Sequence, residues 1–322
     1  MRKLLPLLVL FLLILYLVYG WWQNQFMAVS NDKNSKNFII AKGESVNDVA
    51  ESLKKEGLIK NPFAFKFYLK GSGDGDKLQA GTFKLSPSMS IKETVEVLKG
   101  RPNDLWVTLL EGWRMEEMAE RLNTDLRIKN EEFLKVAKEG YMFPDTYLFA
   151  KEVTAERIAS IMRDNFERKY TPDLRAKIRS LGLTESQGVV LASIVEREAR
   201  SDAARTMVAS ILLKRLKIDM GLNADATVQY ALVPKGSKNP PAGGWWKRHL
   251  TKDDLKVSSP YNTYLYRGLP PTPICNPSLS SLKAVANSDP STPYLYYYHD
   301  SKGNSYYAKT LDEHNQNVAN NP

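Results

Sequence analysis

The chain has 322 residues, which is enough for about two domains. Hydrophobic residues make up 43% and charged residues 25% of it, which excludes a largely disordered chain and a polytopic membrane protein. A single cysteine, Cys275, excludes an intramolecular disulfide and a cysteine-rich zinc site. The formal net charge of +9 favours an anionic neighbour (nucleic acid, a membrane surface or a bacterial wall), unless it serves solubility alone.

The first segment has the pattern of a membrane anchor. Arg2 and Lys3 precede an apolar run from residue 4 to 20, which is followed by two tryptophans. A run of this length is near the lower limit for a helix that crosses a bilayer, and the positive flank predicts a cytoplasmic N-terminus. A cleaved signal peptide is the alternative, but no clear cleavage site follows the run. In both cases the residues beyond the run are expected outside the cytoplasm, which argues against nucleic acid as a partner.

A small folded module is expected after a polar stretch, residues 23–37, that is predicted to be a linker. Residues 38–40 are predicted to form the first strand. Ser45 has the position of a helix N-cap. The helix that follows has an apolar stripe formed by Val46, Val49, Ala50 and Leu53.

The module continues with a second helix, a strand and a third helix. Pro62 at a first helical position predicts a helix that ends near residue 70. A glycine-rich turn then leads to a strand at residues 81–85. Ser90 and Glu93 have the spacing of a capping box and predict a third helix over residues 91–98.

The same pattern recurs 69 residues along the chain, where Gly43 corresponds to Gly112 and Val46 to Met115. With a small deletion, the match extends from Ser90 to Thr154, which predicts an internal repeat of a strand–helix–helix–strand unit. The first copy resembles the LysM-like module of bacterial wall proteins, which binds glycan containing N-acetylglucosamine. A spacer without affinity for sugar is the alternative.

A buried helix is predicted over residues 186–200, because most of its positions are apolar. Glu198 projects well inside the apolar side, whereas Glu196 lies near its edge and can pair with Arg200. A carboxyl group among apolar neighbours has a raised pKa, and a protonated carboxyl can donate to a leaving glycosidic oxygen. Structural ion pairs for both glutamates are the alternative.

Five ordered motifs carry a resemblance to a known family. They are LASIVEREAR at residues 191–200 and the segments 208–232, 259–278, 292–298 and 311–315. These motifs resemble the YceG-like family, and the similarity extends from about residue 38 to the C-terminus. The resemblance implies an enzyme, an endolytic peptidoglycan lytic transglycosylase. Such an enzyme cleaves nascent glycan strands between N-acetylmuramic acid and N-acetylglucosamine and leaves 1,6-anhydro ends.

The resemblance also implies one catalytic glutamate in the V-E-x-E segment, which is Glu196 or Glu198 in this chain. Residues 198–200 are similar to the E-A-R sequence of SleB-type spore-cortex lytic enzymes, in which the glutamate is catalytic. That similarity and the helix geometry favour Glu198, with Glu196 as the runner-up. Glycosidases that use water need a second carboxylate, whereas in a lytic transglycosylase the C6 hydroxyl of the sugar attacks the anomeric carbon.

Asp225 is the candidate for such a second carboxylate. The resemblance implies a binding or structural role for it, and an N-terminal cap of the helix that follows is the alternative. A second essential carboxylate would indicate a muramidase that uses water. A catalytically idle wall-binding scaffold is the remaining alternative.

Further substrate contacts are predicted from side-chain chemistry. Tyr261, Asn262 and Tyr264 offer amide and hydroxyl groups for sugar hydroxyls and flat rings for pyranose faces. His314 lies in an E-H-N motif and either contacts substrate or closes the domain. The tyrosines at 294–298 are predicted to belong to a strand.

The chain departs from the family pattern at two positions. Ser305 stands where a histidine is usual, which puts a general role for that imidazole in doubt. Ala226 stands where a proline is usual, beside Asp225. Residues 233–247 are predicted to form a mobile loop with an exposed pair of tryptophans.

The predicted fold class is α+β. It comprises a cytoplasmic tip and single transmembrane helix over residues 1–22, the linker, a LysM-like βααβ module over 38–103 and a larger α+β catalytic domain over 104–322. The expected location is the bacterial inner membrane, in which the protein passes once and the catalytic domain lies outside the cytoplasm. The expected partners are peptidoglycan glycan strands and the membrane, with peptidoglycan synthases as candidates. The sequence has no metal or nucleotide motif, so no cofactor is expected.

Overall fold

Helices and small antiparallel sheets occur together in the computed structural model, which confirms the α+β class. The chain divides into two compact units. The first comprises Met1–Val107 and Tyr147–Glu152, and the second comprises Thr108–Thr146 and Val153–Pro322. The structure describes residues 4–41, 43–100, 102–234, 237, 239–241 and 243–321.

The first unit begins with helix α1, which covers Leu4–Asn24. Its side chains from Val9 to Tyr19 are all exposed. Within the described part of the chain, no helix has both the length and the apolar character needed to cross a membrane.

The strand–helix–helix–strand module follows in the predicted order. It consists of β1 (Lys36–Ile40), α2 (Val46–Lys55), α3 (Pro62–Ser72), β2 (Gly81–Leu85) and α4 (Ile91–Lys99). Strands β1 and β2 pair antiparallel, with Phe38 opposite Phe83. Three of the four residues of the predicted stripe on α2 are buried against the strands: Val49, Ala50 and Leu53.

Local sequence signals set the beginnings of these helices. The Ser45 hydroxyl accepts a hydrogen bond from the backbone N–H of Asp48 at 3.2 Å, and Asn61 caps α3 in the same way. Ser90 and Glu93 form both hydrogen bonds of the predicted capping box. Each helix therefore begins where a side-chain oxygen satisfies backbone N–H groups that have no partner within the helix.

The last turn of α1 and the residues that follow it pack on α3 through aromatic rings. The ring centroid of Trp22 lies 5.2 Å from that of Phe26 and 5.7 Å from that of Phe67. The carbonyl of Phe26 also accepts a hydrogen bond from the N–H of Ile91 at 3.0 Å. The first residues of the predicted linker are therefore in contact with the module.

The second copy of the repeat has the same order of elements, which confirms the repeat prediction. It comprises β3 (Asp104–Thr108), α5 (Met115–Leu126), α6 (Asn130–Val136), β4 (Thr146–Ala150) and the following helix α7 (Ala155–Lys169). Gly43 and Gly112 both adopt a positive φ, 82° and 73°, and Thr154 caps α7 as Ser90 caps α4. The four strands form one sheet in the order β1-β2-β3-β4.

A buried helix, α9 (Glu185–Glu198), lies at the centre of the second unit, as predicted, and every residue from Gly188 to Val195 on it is buried. The helices around it are α8 (Pro172–Ser180), α10 (Asp202–Lys217), α11 (Asp225–Ala231) and α12 (Leu279–Ala286). A Cβ atom at Gly188 would lie 2.6 Å from Cγ2 of Ile178, so the glycine permits the close approach of α8. A helix with this many consecutive buried positions is stable only when other helices enclose it.

The chain ends with a hairpin and a helix. Strands β5 (Tyr296–His299) and β6 (Ser305–Ala308) pair antiparallel, with His299 opposite Ser305, and α13 (Leu311–Asn320) follows. The strand predicted around the tyrosines is thus confirmed from Tyr296 onwards.

The tryptophan pair of residues 233–247 is not exposed, so this part of the loop prediction is wrong. The indole N–H of Trp246 donates to Glu117 at 2.9 Å, and that of Trp245 donates to Glu120 at 3.2 Å. Both acceptors lie on α5. These positions are favourable for the two indoles because the rings are largely removed from water while each N–H keeps a carboxylate acceptor.

Candidate active site

Glu198 is the last residue of α9 and lies in the wall of a cavity of about 490 Å³ in the second unit. The cavity lies between the end of α9, the start of α11, the β5–β6 hairpin and α13. Four residues predicted from the sequence meet in its wall: Glu198, Asp225, Tyr264 and His314.

The carboxyl group of Glu198 is held by two donors. Its Oε1 accepts a hydrogen bond from the backbone N–H of Ala226 at 3.3 Å, and its Oε2 accepts one from the hydroxyl of Tyr297 at 3.0 Å. Burial raises the pKa of Glu198 to about 7, an effect that these two hydrogen bonds oppose and the nearby Asp225 carboxylate reinforces. A carboxyl group with such a pKa can both donate and accept a proton near neutral pH.

Tyr297 was not identified from the sequence, and a buried arginine fixes its position. Arg215, on α10, donates from Nε to the carbonyl of Leu295 and from Nη1 to the carbonyl of Leu222, both at 2.7 Å. These bonds tie the start of β5 to the segment before α11. Tyr296, Tyr297 and Tyr298 all line the cavity, and only the tertiary structure shows that Tyr297 is the one that bonds to Glu198.

Asp225 is the first residue of α11, and its Oδ1 accepts a hydrogen bond from the Tyr264 hydroxyl at 2.7 Å. The N-cap position belongs to Ala224, so the alternative that Asp225 caps this helix is wrong. Burial and the Asp225 carboxylate raise the pKa of Tyr264, which therefore remains a hydrogen-bond donor. The Asp225 carboxylate is thus fixed in the same cavity as Glu198.

His314 and the hairpin tyrosines give the cavity an aromatic wall. The imidazole of His314 stacks on Tyr296 with ring centroids 5.6 Å apart and meets the edge of Tyr298 at 6.5 Å. Burial lowers the pKa of His314, so its ring is neutral at pH 7. Flat neutral rings of this kind suit the apolar faces of a pyranose.

Tyr261 and Asn262 are not brought to this cavity. Asn262 is fully buried, and its amide bonds only to the surrounding loop, including the backbone N–H of Tyr264 at 3.0 Å. The ring of Tyr261 packs against Tyr230, with centroids 4.8 Å apart, and its hydroxyl bonds to Thr272. Asn262 therefore shapes the loop that presents Tyr264, and the predicted substrate contacts of these two residues have no support in the geometry.

Glu196 lies in a different environment from Glu198. Its Oε1 accepts from Nη2 of Arg205 at 2.9 Å, and its Oε2 accepts from the backbone N–H of Ser278 at 2.8 Å. The predicted pairing with Arg200 is wrong because α9 ends at Glu198, so the helical spacing does not reach that residue. Glu196 joins α9, α10 and the N-terminus of α12, which is a structural role.

We expect Glu196→Gln to lower the melting temperature of the protein. The side chain is only 5% exposed, so the substitution removes the buried charge that pairs with Arg205 and leaves that guanidinium with the exposed Asp202 at 3.6 Å, at a cost on the order of 2 kcal/mol. Circular dichroism against temperature measures the loss. Glu198→Gln serves as the matched control, since it neutralises a carboxyl group two residues away that has no cationic partner. Equal melting temperatures for Glu196→Gln and the wild type would contradict the structural role.

Comparison with known proteins agrees with the motifs. A family model described as the YceG-like family matches residues 38–320. The chain belongs to this family. A protein of Bacillus subtilis (strain 168) named endolytic murein transglycosylase is 30% identical, and the match covers 89% of this chain and 84% of that protein. A relative of the same name from Streptococcus pneumoniae (strain D39) is 28% identical, and the match covers 89% of this chain but 59% of that longer protein.

A crystal structure of a yceG-like protein from Listeria monocytogenes is also similar. It matches with a TM-score of 0.60 and 30% identity, and the match covers 88% of this chain and 99% of that chain. The likeness therefore extends over both units of the fold.

Ala226 and Ser305, the two positions where the resemblance implies a different residue, both lie near Glu198. Ala226 supplies a backbone N–H to Glu198, which a proline at this position lacks. Ser305 lies with its Oγ 2.9 Å from Nδ1 of His299, directly opposite it in the antiparallel hairpin. The hairpin register thus brings an imidazole to the cavity wall that the sequence alone did not indicate.

Proposed function

We propose that the protein is an endolytic peptidoglycan lytic transglycosylase. The observation that carries this proposal is the Glu198 carboxyl, which has a pKa of about 7 and lies in the wall of a cavity with aromatic rings. The two relatives named endolytic murein transglycosylase, which match 89% of the chain, support the same activity.

One carboxyl group can perform both proton transfers of such a reaction. Glu198 gives its proton to the leaving oxygen of N-acetylglucosamine as the bond from that oxygen to C1 of N-acetylmuramic acid breaks. The Glu198 carboxylate then takes the proton of the C6 hydroxyl of the same muramic acid, and the C6 oxygen forms the new bond to C1. The product has a 1,6-anhydro ring, no water is consumed, and Glu198 regains its proton.

The groups around Glu198 can stabilise the charges that form during the two proton transfers. The Ala226 N–H and the Tyr297 hydroxyl remain bonded to the carboxyl when it is charged and stabilise it between the transfers. The Asp225 carboxylate, held by Tyr264, is suited to stabilise positive charge that develops at C1.

Mass spectrometry of digested peptidoglycan tests this proposal. Muropeptides with anhydro ends, without incorporation of ¹⁸O from labelled water, are the expected products. Reducing ends that carry ¹⁸O would show hydrolysis instead, and unchanged strands would contradict any cleavage activity.

A muramidase that uses water is the second candidate, because Asp225 lies in the same cavity as Glu198. In that mechanism the second carboxylate activates water or forms a covalent intermediate. The Asp225→Asn variant, assayed on the same strands, distinguishes the two candidates by the type of glycan end that it still produces. Anhydro products from this variant support the transglycosylase. Hydrolysis is supported if the variant forms no product and the product of the wild type carries ¹⁸O.

We further propose that the N-terminal segment anchors the protein in the bacterial inner membrane, with the residues that follow the anchor outside the cytoplasm. The support is the run from residue 4 to 20, which contains no charged residue, and the exposed side chains of α1. We expect the full chain to remain in the membrane pellet after alkaline carbonate extraction, and a variant that lacks residues 1–24 to be released. Release of the full chain by carbonate alone would contradict the anchor.

We also propose that the module formed by residues 38–103 binds glycan of the wall. Its resemblance to LysM-like modules and its own core support an independent role. Removal of this module from a chain that carries Glu198→Gln should weaken sedimentation with purified peptidoglycan, while circular dichroism shows that the helices of the second unit remain. Undiminished sedimentation would leave the module with a spacer role.

A further inference from the structure

Glu198 lies in the wall of a second cavity, which the proposed mechanism does not use. This cavity has a volume of about 290 Å³. Its walls are the end of α9 with Arg197 and Arg200, the first turn of α10, and the hairpin with His299, Asp300 and Ser305. A group in this cavity is therefore a direct neighbour of the proposed acid.

The second cavity has an excess of positive charge. Among the described residues, no carboxylate lies within ion-pair distance of Arg197 or Arg200. The guanidinium of Arg197 lies 4.0 Å from the ring centroid of Trp246, an arrangement that orients the group and leaves its N–H edge available. Asp300 is the one acidic side chain besides Glu198 among the described lining residues.

The charge of Asp300 is already engaged within the hairpin. Its Oδ1 accepts from the backbone N–H groups of Lys302 and Asn304, and its Oδ2 accepts from the Asn304 amide and the Tyr306 hydroxyl. With Glu198 protonated, two arginines face one such carboxylate. Arg197 also lies near Glu117, outside the cavity, so Arg200 is the lining cation for which the described residues provide no carboxylate partner.

His299 gives the second cavity a polar wall of fixed orientation. Its Nδ1 lies 2.9 Å from the Ser305 hydroxyl, and its ring lines both cavities. Burial and the charge of Arg200 lower the pKa of His299, so the imidazole is neutral at pH 7 and the positive charge comes from the arginines alone.

We propose that the second cavity binds a carboxylate carried by the lactyl arm of the muramyl residue at the cleaved bond, with Arg200 as its principal ligand. This inference rests on the proposed function, because only a glycan strand in the first cavity places a muramyl residue beside Glu198. A guanidinium matches a carboxylate through two parallel hydrogen bonds. The carboxylate has two sources: the lactyl group itself in a strand without stem peptides, or a residue of the stem peptide in an intact strand.

Three glycan strands of equal length distinguish these sources. The first has intact stem peptides. The second is treated with an amidase, which leaves free lactyl carboxylates. The third is derived from the second by conversion of those carboxylates into neutral methylamides. Binding is measured in a full chain with Glu198→Gln, so that the dissociation constant does not depend on cleavage.

We expect at least one carboxylate-bearing strand to bind more tightly than the methylamide strand. Addition of Arg200→Gln should weaken that binding by roughly tenfold to a hundredfold, the range for a hydrogen-bonded charge, and leave binding of the methylamide strand unchanged. Arg200→Lys keeps the charge and should retain part of the preference. Arg157→Gln removes the charge of an exposed arginine on α7 and is the matched control, with no change on any strand.

The pattern of preference identifies the source. Tight binding of the amidase-treated strand alone indicates the lactyl carboxylate, and tight binding of the intact strand alone indicates the stem peptide. Equal affinity for all three strands, or an equal effect of Arg200→Gln on all three, overturns the carboxylate site. The proposed function fails separately, since it requires anhydro products from the wild type and does not depend on which strand is preferred.

Discussion

Glu198→Gln should abolish nearly all formation of anhydro ends. The amide has the shape of the carboxyl group and can still bond to Ala226 and Tyr297, but it has no proton to give to the leaving oxygen. General acid–base catalysis contributes about 10²–10⁴-fold, and here one residue carries both transfers, so the upper end of that range is expected. The measurement is the initial rate of anhydro-muropeptide release by liquid chromatography and mass spectrometry.

The same substitution should leave the stability intact or increase it. The pKa of Glu198 is higher in the folded protein, about 7, than in the unfolded chain, where it is near the ordinary glutamate value of 4.5. The folded state therefore binds the proton more tightly, and the contribution of Glu198 to stability falls as pH rises from about 4.5 to about 7. Above pH 7 the wild type holds this carboxyl in its charged form, at a cost on the order of 3 kcal/mol, which the glutamine avoids. The melting temperature of Glu198→Gln should exceed that of the wild type at pH 8 and approach it at pH 5.

The pH dependence of the wild type provides an independent check. The free enzyme must carry the Glu198 proton to begin the reaction, so kcat/KM should fall as pH rises through about 7. A Glu196→Gln variant should show the same pH profile, because Glu196 takes no part in proton transfer. An inactive Glu196→Gln beside an active Glu198→Gln would reverse the assignment of the two glutamates.

The beginnings of the helices were predictable from the sequence because their signals are local. The caps at Ser45, Asn61 and Ser90 each require only a side-chain oxygen and an N–H two or three residues away. The buried helix α9 was predictable for a similar reason, since the largely apolar run from residue 188 to 195 is visible in the sequence. Its exact end was not, because the backbone leaves the helix at Ala199 to satisfy contacts with other elements, and this cancelled the predicted pairing of Glu196 with Arg200.

Only some of the residues that line the cavity could be predicted from the sequence. Glu198 could be found from its apolar neighbours on one helix, and Asp225, Tyr264 and His314 from motifs. The contact of Tyr297 with Glu198 joins residues 99 positions apart, and it depends on how the hairpin meets α9. The chemistry of a tyrosine gives no sign of whether it will lie in a core or against a catalytic carboxyl, so only the tertiary structure separates the two roles.

Asn276 shows the same limit for stability, because it links parts of the second unit that are more than 130 residues apart in sequence. It is fully buried. Its Oδ1 accepts from the backbone N–H groups of Gly140 and Met142 at 2.9 and 3.0 Å, and its Nδ2 donates to Glu139 Oε1 at 3.0 Å. Burial raises the pKa of Glu139 to about 8, so that carboxyl is neutral at pH 7 and depends on hydrogen bonds rather than on charge. The N-cap of α12 is Ser278, two residues further along.

We expect Asn276→Ala to destabilise the protein more than Glu196→Gln does. It leaves two backbone N–H groups and one carboxyl oxygen without their partner in a region closed to water. Each buried polar group that loses its partner costs about 1–3 kcal/mol, so a loss on the order of 4 kcal/mol is expected. In a domain of this size that loss corresponds to a decrease of roughly 10 °C in melting temperature. Thermal unfolding followed by circular dichroism gives the value.

Asn287→Ala is the matched control for this change. Asn287 is an exposed residue at the end of α12, and the same atoms are removed there without loss of a buried partner. Its effect on the free energy of unfolding should remain within about 0.5 kcal/mol.

Asn276→Asp distinguishes the contribution of the amide oxygen from that of the amide N–H group, because it keeps the acceptor for Gly140 and Met142 but places a second acid against Glu139. If the loss comes mainly from the two N–H groups, the aspartate should restore much of the stability at low pH, where its carboxyl is protonated, and little at high pH. A variant with alanine that unfolds at the wild-type temperature would show that the two N–H groups find other partners.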